Sequence, residues 1–87
     1  MEQEFIVANQ LGIHARVAAQ IVKTAAQYHA DVRISKSGNT VDGKSLLDLL
    51  TLVCPKGSKV LISASGPDAA DVLAALASLF QAKFGES

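Results

Sequence analysis

What most limits how this chain folds is the way its apolar residues switch period, from runs suited to strands to 3.6-residue stripes and back, with turn residues at each switch. Glu4 to Ala8 is a short β-rich run ended by the turn-like Asn9, Gln10, Leu11 and Gly12, and its continuous apolar character leaves the inward face undecided. From Ala15 to about Tyr28, Ala18, Ile21, Val22 and Ala25 fall at i, i+3, i+4, i+7 and predict an amphipathic helix. Val32 and Ile34 then alternate with Asp31, Arg33 and Ser35, and the turn at Ser37, Gly38 and Asn39 leads into Thr40, Val41 and Asp42, a β-hairpin. Leu46, Leu49, Leu50 and Val53 restore the helical spacing, with Ser45 as N-cap, Asp48 at the capping-box position, and Pro55 and Gly57 as the stop. A fourth strand alternates through Val60, Ile62 and Ala64, and Val72, Leu76, Leu79 and Phe80 mark a last helix, with Asp68 as its N-cap and its end at Gly85.

The order is therefore βαββαβα, which favours an α+β two-layer sandwich with the helices on one face of the sheet. The 87 residues make one domain, 1–87, too short for two cores and long enough to bury roughly 60 to 65% of the unfolded surface. A chain that is 49% hydrophobic and 18% charged is not disordered, and no apolar run approaches the length of a membrane span. Eight basic residues balance eight acidic ones, so the basic excess that drives nucleic-acid binding is missing. With aromatics at 5% and no strand carrying stacking residues, a small RNA-binding domain is disfavoured as well. Cys54 stands alone and cannot close an internal disulfide, and residues 1–4 do not begin a secretory signal, so a cytoplasmic protein is expected.

The residues with chemistry are Gly12, Ile13, His14, Ala15 and Arg16, where a loop enters the first helix. A helix N-terminus carries unpaired amide hydrogens and about half a positive charge, which together favour an anion. With His14 as N-cap, the amides of Ala15, Arg16 and Val17 form a phosphate-binding turn, to which Arg16 adds a planar fork of donors. Histidine is a poor N-cap where Ser, Thr, Asp or Asn would serve, and a local rule broken at a polar site points to function. The helix end and Arg16 both disfavour an imidazolium, so the ring is expected to act as a neutral nucleophile.

The stretch from Gly12 to Arg16 resembles the active-site signature of HPr, the histidine-containing phosphocarrier of the bacterial phosphoenolpyruvate-dependent sugar phosphotransferase system. Lys44, Ser45, Leu46 and Leu47, followed by Leu49, Leu50, Thr51 and Leu52, are similar to that family's second helix. Lys56, Gly57 and Ser58, then Ser65, Gly66, Pro67 and Asp68, match its later turns, so the likeness spans nearly the whole chain. It implies a four-stranded antiparallel sheet backed by three helices. It also implies that His14 accepts a phosphoryl group on Nδ1 from enzyme I and passes it to a sugar-specific enzyme II A or B component, with His14 and Arg16 as the catalytic pair. One position departs from the pattern: Val17 stands where the family has proline, which removes the fixed φ suited to an early helical position.

The resemblance further implies that Ser45 is a regulatory phosphorylation site for an HPr kinase/phosphorylase, beside its capping role. Leu47 lies roughly 110° from the centre of its helix's apolar stripe and is expected either to be covered by a loop or to form the apolar centre of a partner-docking patch. His29 reads as solvated or structural, and Cys54 as an inert thiol. No metal and no cofactor are expected, and the protein is read as a monomer without membrane insertion. The alternative within the same family is a nitrogen-type or regulatory paralogue that docks to targets according to its phosphorylation state.

Overall fold

The computed structural model describes residues 1–86, and its elements follow the expected order. They are β1 (Glu2–Ile6), α1 (Ala15–Ala25), β2 (Asp31–Lys36), β3 (Asn39–Asp42), α2 (Leu46–Thr51), β4 (Lys59–Ser65) and α3 (Ala69–Gln81), with a 3-10 turn at Lys83–Gly85. The four strands form one antiparallel sheet in the order β1-β4-β2-β3. Register is set by side chains: Phe5 pairs with Val60, Ile34 with Ile62, and Val32 with Ala64. All six are buried beneath the helices, while the residues between them, such as Glu4, Arg33 and Lys59, face solvent. A one-residue slip would exchange these two sets, so burial of one face fixes the pairing.

The β2–β3 hairpin closes through Ser37 and Gly38, whose φ angles of 52° and 84° put both residues in the left-handed region that a two-residue hairpin turn requires. The core is completed by Val17, Ala18, Ile21 and Ala25 of α1 and Val72, Leu73, Leu76 and Phe80 of α3. Phe80 stacks on Phe5 at a centroid distance of 4.7 Å and meets Phe84 edge-on at 4.8 Å. This aromatic trio fastens the chain beyond α3 to the core, and through it the last described residue, Glu86, returns to the start of α1.

Several elements differ from the sequence expectation. The first strand lies earlier, at Glu2–Ile6, and α1 ends at Ala25, short of Tyr28. In α2 the expected stripe is mostly at the surface: Leu46, Leu50 and Val53 are exposed, whereas Leu49 and Leu52 are the buried pair. The helix is only six residues long, so it turns one narrow edge to the core and leaves the rest of its leucines outside. Ser45 does cap α2, its Oγ accepting from the Asp48 amide at 3.3 Å, but Asp48 accepts from the Asp42 amide instead of completing a capping box. Asp68 does not cap α3 with its side chain; its carboxylate accepts from the amides of His29 and Ala30 at 2.8 and 2.7 Å. Those bonds, the His29 one foremost, hold its carboxyl below the usual range and tie the loop before β2 to the start of α3.

Candidate functional site

The loop from Asn9 to His14 is shaped by backbone constraints. Gly12 has φ +68°, and a Cβ there would sit 2.3 Å from the Cys54 carbonyl oxygen, so only glycine suits both the dihedral and the space. That carbonyl accepts from the Ile13 amide at 2.9 Å, bridging the loop to the segment after α2. His14 follows in extended conformation as the N-cap of α1, and its carbonyl accepts from Ala18 at 2.8 Å. Its side chain makes no capping bond. Among the described residues no acceptor takes the amide hydrogens of Ala15, Arg16 or Val17, which leaves the first turn of α1 open. Val17 turns a wholly buried side chain inward, so the absent proline leaves a well-packed valine in the first turn.

Two residues that the sequence did not single out complete the cluster. The Glu86 carboxylate lies 3.0 and 3.1 Å from His14 Nε2 and accepts from the Arg16 guanidinium at 2.5 Å. The Asn9 amide nitrogen donates to Glu86 Oε1 and to the Gly12 carbonyl, both at 2.8 Å. Asn9 is entirely buried, and its Oδ1 has no partner among the described residues. The Arg16 guanidinium, then His14 and Asn9, pull the Glu86 carboxyl down to about 2. The His14 ring thus faces a carboxylate as well as a helix N-terminus, and the carboxylate offsets the field that the sequence alone suggested. Nothing near Glu86 in the chain signals this role, because its partners lie 70 or more residues away. Asn9 reads from sequence only as a turn residue.

The other singled-out residues lie apart from this cluster. Leu47 is 77% exposed, and with Leu46, Leu50 and Val53 it forms an apolar surface on and just beyond α2. The Ile13–Cys54 bridge places that surface's trailing edge beside the loop that carries His14. Ser45 is half-buried as a cap, and His29 is exposed at the loop before β2. Burial raises the Cys54 thiol, which donates to the Leu52 carbonyl at 2.9 Å.

What the arrangement offers chemically is an imidazole at a helix end whose first amides are unused among the described residues, with an arginine two residues on and a carboxylate that holds both side chains. Comparison with known proteins agrees with it. Residues 1–82 match the family model described as the PTS HPr component phosphorylation site. The chain is 34% identical over 86 residues to a phosphocarrier protein HPr of Neisseria meningitidis, covering 99% of this chain and 97% of that one. Among solved structures, an HPr from Thermoanaerobacter tengcongensis superposes with a TM-score of 0.96 at 33% identity, covering 100% of this chain and 98% of the other. One from Bacillus anthracis gives 0.88 at 37% identity, with coverages of 93% and 96%. No helix among the described residues is long and apolar enough to cross a membrane. Taken with the fold, these likenesses establish that the chain belongs to the HPr family, the phosphocarriers of the phosphotransferase system.

Proposed function

We propose that the protein accepts a phosphoryl group on His14 from phosphorylated enzyme I and passes it to sugar-specific enzyme II components. The observation that carries this reading is the N-terminus of α1, where the His14 ring stands beside three unused amides and Arg16. In-line phosphoryl transfer asks little covalent chemistry of a protein and much positioning and charge stabilisation. The amides of Ala15, Arg16 and Val17 supply fixed partial positive charge, and Arg16 supplies a mobile full charge, 68% exposed, that can leave Glu86 for a phosphoryl oxygen. A donor that is already a phosphohistidine makes a magnesium ion unnecessary.

The apolar surface of Leu46, Leu47, Leu50 and Val53 is the docking face in this reading, with Leu47 at its most exposed point. Ser45, at the head of the same helix, is where phosphorylation would alter docking. The deciding experiment is incubation with phosphoenolpyruvate and enzyme I, followed by intact mass before and after acid. Wild type and His29→Ala should carry one acid-labile phosphoryl group, and His14→Ala none. An adduct that persists in His14→Ala would overturn the assignment. Onward transfer to a sugar-specific acceptor then separates a transport carrier from a paralogue that only regulates.

A further inference from the structure

Building on the carrier reading, we infer that Glu86 is a positioning residue for His14: its carboxylate holds the hydrogen on Nε2 and so leaves the nucleophilic lone pair on Nδ1. A neutral imidazole has one N–H and one lone pair, and an ionised carboxylate only accepts. The ring nitrogen 3.0 and 3.1 Å from the two Glu86 oxygens must therefore be the one that bears the hydrogen. Nδ1 has no hydrogen-bond partner among the described residues and is free to react. With its carboxyl held at about 2 by Arg16, His14 and Asn9, Glu86 stays ionised throughout the range in which a histidine is nucleophilic. Orientation of a reacting group by a third residue is the logic of catalytic triads, applied here to the ring itself.

The transfer step balances without moving a proton. The Nδ1 pair forms a bond to phosphorus as the donor's N–P bond breaks, and the electrons of that bond return to the donor imidazole. His14 keeps its Nε2 hydrogen, and its ring takes on positive charge that the adjoining carboxylate offsets. In onward transfer the Nδ1–P electrons return to the ring, which leaves as a neutral imidazole with its hydrogen already in place. Glu86 holds the proton in both directions and never takes it.

The contact is also built in a way that fixes its position. Lys83 and Phe84 adopt left-handed φ angles of 52° and 56°, followed by Gly85 at 76°. Non-glycine residues adopt that region at a cost of order 1 kcal/mol each and keep it only where their surroundings impose it. Here the imposing contacts are Phe84, buried against Phe80, and the Gln20 amide of α1, which donates to the Phe84 carbonyl at 3.1 Å. Asn9 commits a buried amide to the same end, directing both bonds of its nitrogen to Gly12 and Glu86 while its oxygen has no partner among the described residues.

The test is nitrogen-15 NMR of the full chain, with transfer kinetics from phosphorylated enzyme I on the same samples. In wild type the His14 ring hydrogen should be found on Nε2 and exchange slowly, unlike that of the exposed His29. Glu86→Ala should lose this protection and lower the maximal transfer rate about tenfold, the lower end of losses on removing a residue that orients a ligand histidine. Half-saturation should stay within about twofold, because chemistry and not docking is affected. Glu86→Gln keeps an acceptor oxygen without the charge, so it should retain more protection than Glu86→Ala while still transferring more slowly than wild type. A wild-type hydrogen on Nδ1 overturns the inference, and so does transfer by Glu86→Ala at the wild-type rate or faster, the latter marking Glu86 as an obstacle. Failure of wild type itself to take phosphate would instead sink the carrier reading, and this role with it.

Discussion

The N-termini of α1 and α2 use the same backbone geometry to opposite ends. Both begin at an extended residue whose carbonyl starts the helical bonding, His14 in one and Ser45 in the other. At α2 the serine Oγ accepts from the Asp48 amide, and Asp48 adds an acidic group to the first turn, so the positive end of the helix is answered from within. At α1 the cap makes no such bond and the first turn holds no acidic residue. Its answering charge arrives from Glu86, at the far end of the chain. A helix end closed by its own cap belongs to the scaffold, while one whose first amides go unused among the described residues, and whose exposed arginine can turn away from a fixed Glu86, has room for another anion. The missing cap costs α1 about 1 kcal/mol, which burial of Val17, Ala18, Ile21 and Ala25 offsets several times over.

If room for another anion at α1 is the point of that difference, Arg16 should matter to transfer and hardly to folding. Its side chain is 68% exposed, so truncation loses little packing. We expect Arg16→Ala to melt close to wild type and to slow phosphoryl transfer by roughly one to three orders of magnitude, the range for losing an electrostatic donor. Wild-type rates in stopped-flow transfer assays would mean that the open amides suffice and that α1 needs no mobile charge.

A second change strikes the loop that aims His14. Gly12→Ala places a side chain in the left-handed region and drives its Cβ to 2.3 Å from a backbone oxygen that also anchors Ile13. Dihedral strain of about 1 to 2 kcal/mol plus displacement of the bridge should cost about 3 kcal/mol in denaturant titration. For a chain this size that is a fall in Tm of about 15 °C. A loss under about 1 kcal/mol would show that the loop yields, and that the α1 end is less fixed than the α2 end.

How much of this could be read from sequence follows the range of the forces involved. The βαββαβα order was legible because alternation and helical spacing are local, and so were the His14 and Ser45 caps, one residue from the helices they begin. The face of α2 was not. Periodicity records that Leu46, Leu49, Leu50 and Val53 share a stripe but not how much of it a six-residue helix can bury, and of the four only Leu49 reaches the core, joined by Leu52 at the C-cap. Asp68 does stand at the N-cap of α3, but the bonding of its carboxylate was not legible, because the amides of His29 and Ala30, brought in by the fold, take it in place of the first turn. The candidate site was half legible for the same reason. Gly12, His14 and Arg16 are neighbours in the chain, whereas Glu86 joins them through packing of Phe84 on Phe80, and Asn9, though in the same loop, has a role visible only through its bond to Glu86.

The smallest effect expected is at the closed end, and it separates capping from regulation. Ser45→Ala removes the acceptor for the Asp48 amide and should lower stability by about 1 kcal/mol. Ser45→Asp restores an acceptor of equal capping strength, and its charge meets both the favourable helix end and the unfavourable Asp48 carboxylate in the same turn, so its Tm should stay near wild type. The two variants thus differ in stability in the opposite sense to their expected effect on docking. A carboxylate at the head of α2 sets a charge beside the exposed Leu47, which adds desolvation cost to an apolar contact, whereas alanine leaves that surface neutral. Calorimetric titration against enzyme I should therefore show weaker binding for Ser45→Asp and nearly unchanged binding for Ser45→Ala, with Leu47→Ala weakened by lost contact alone. If all three bind as wild type does, α2 lies outside the interface and its closed N-terminus serves the fold only.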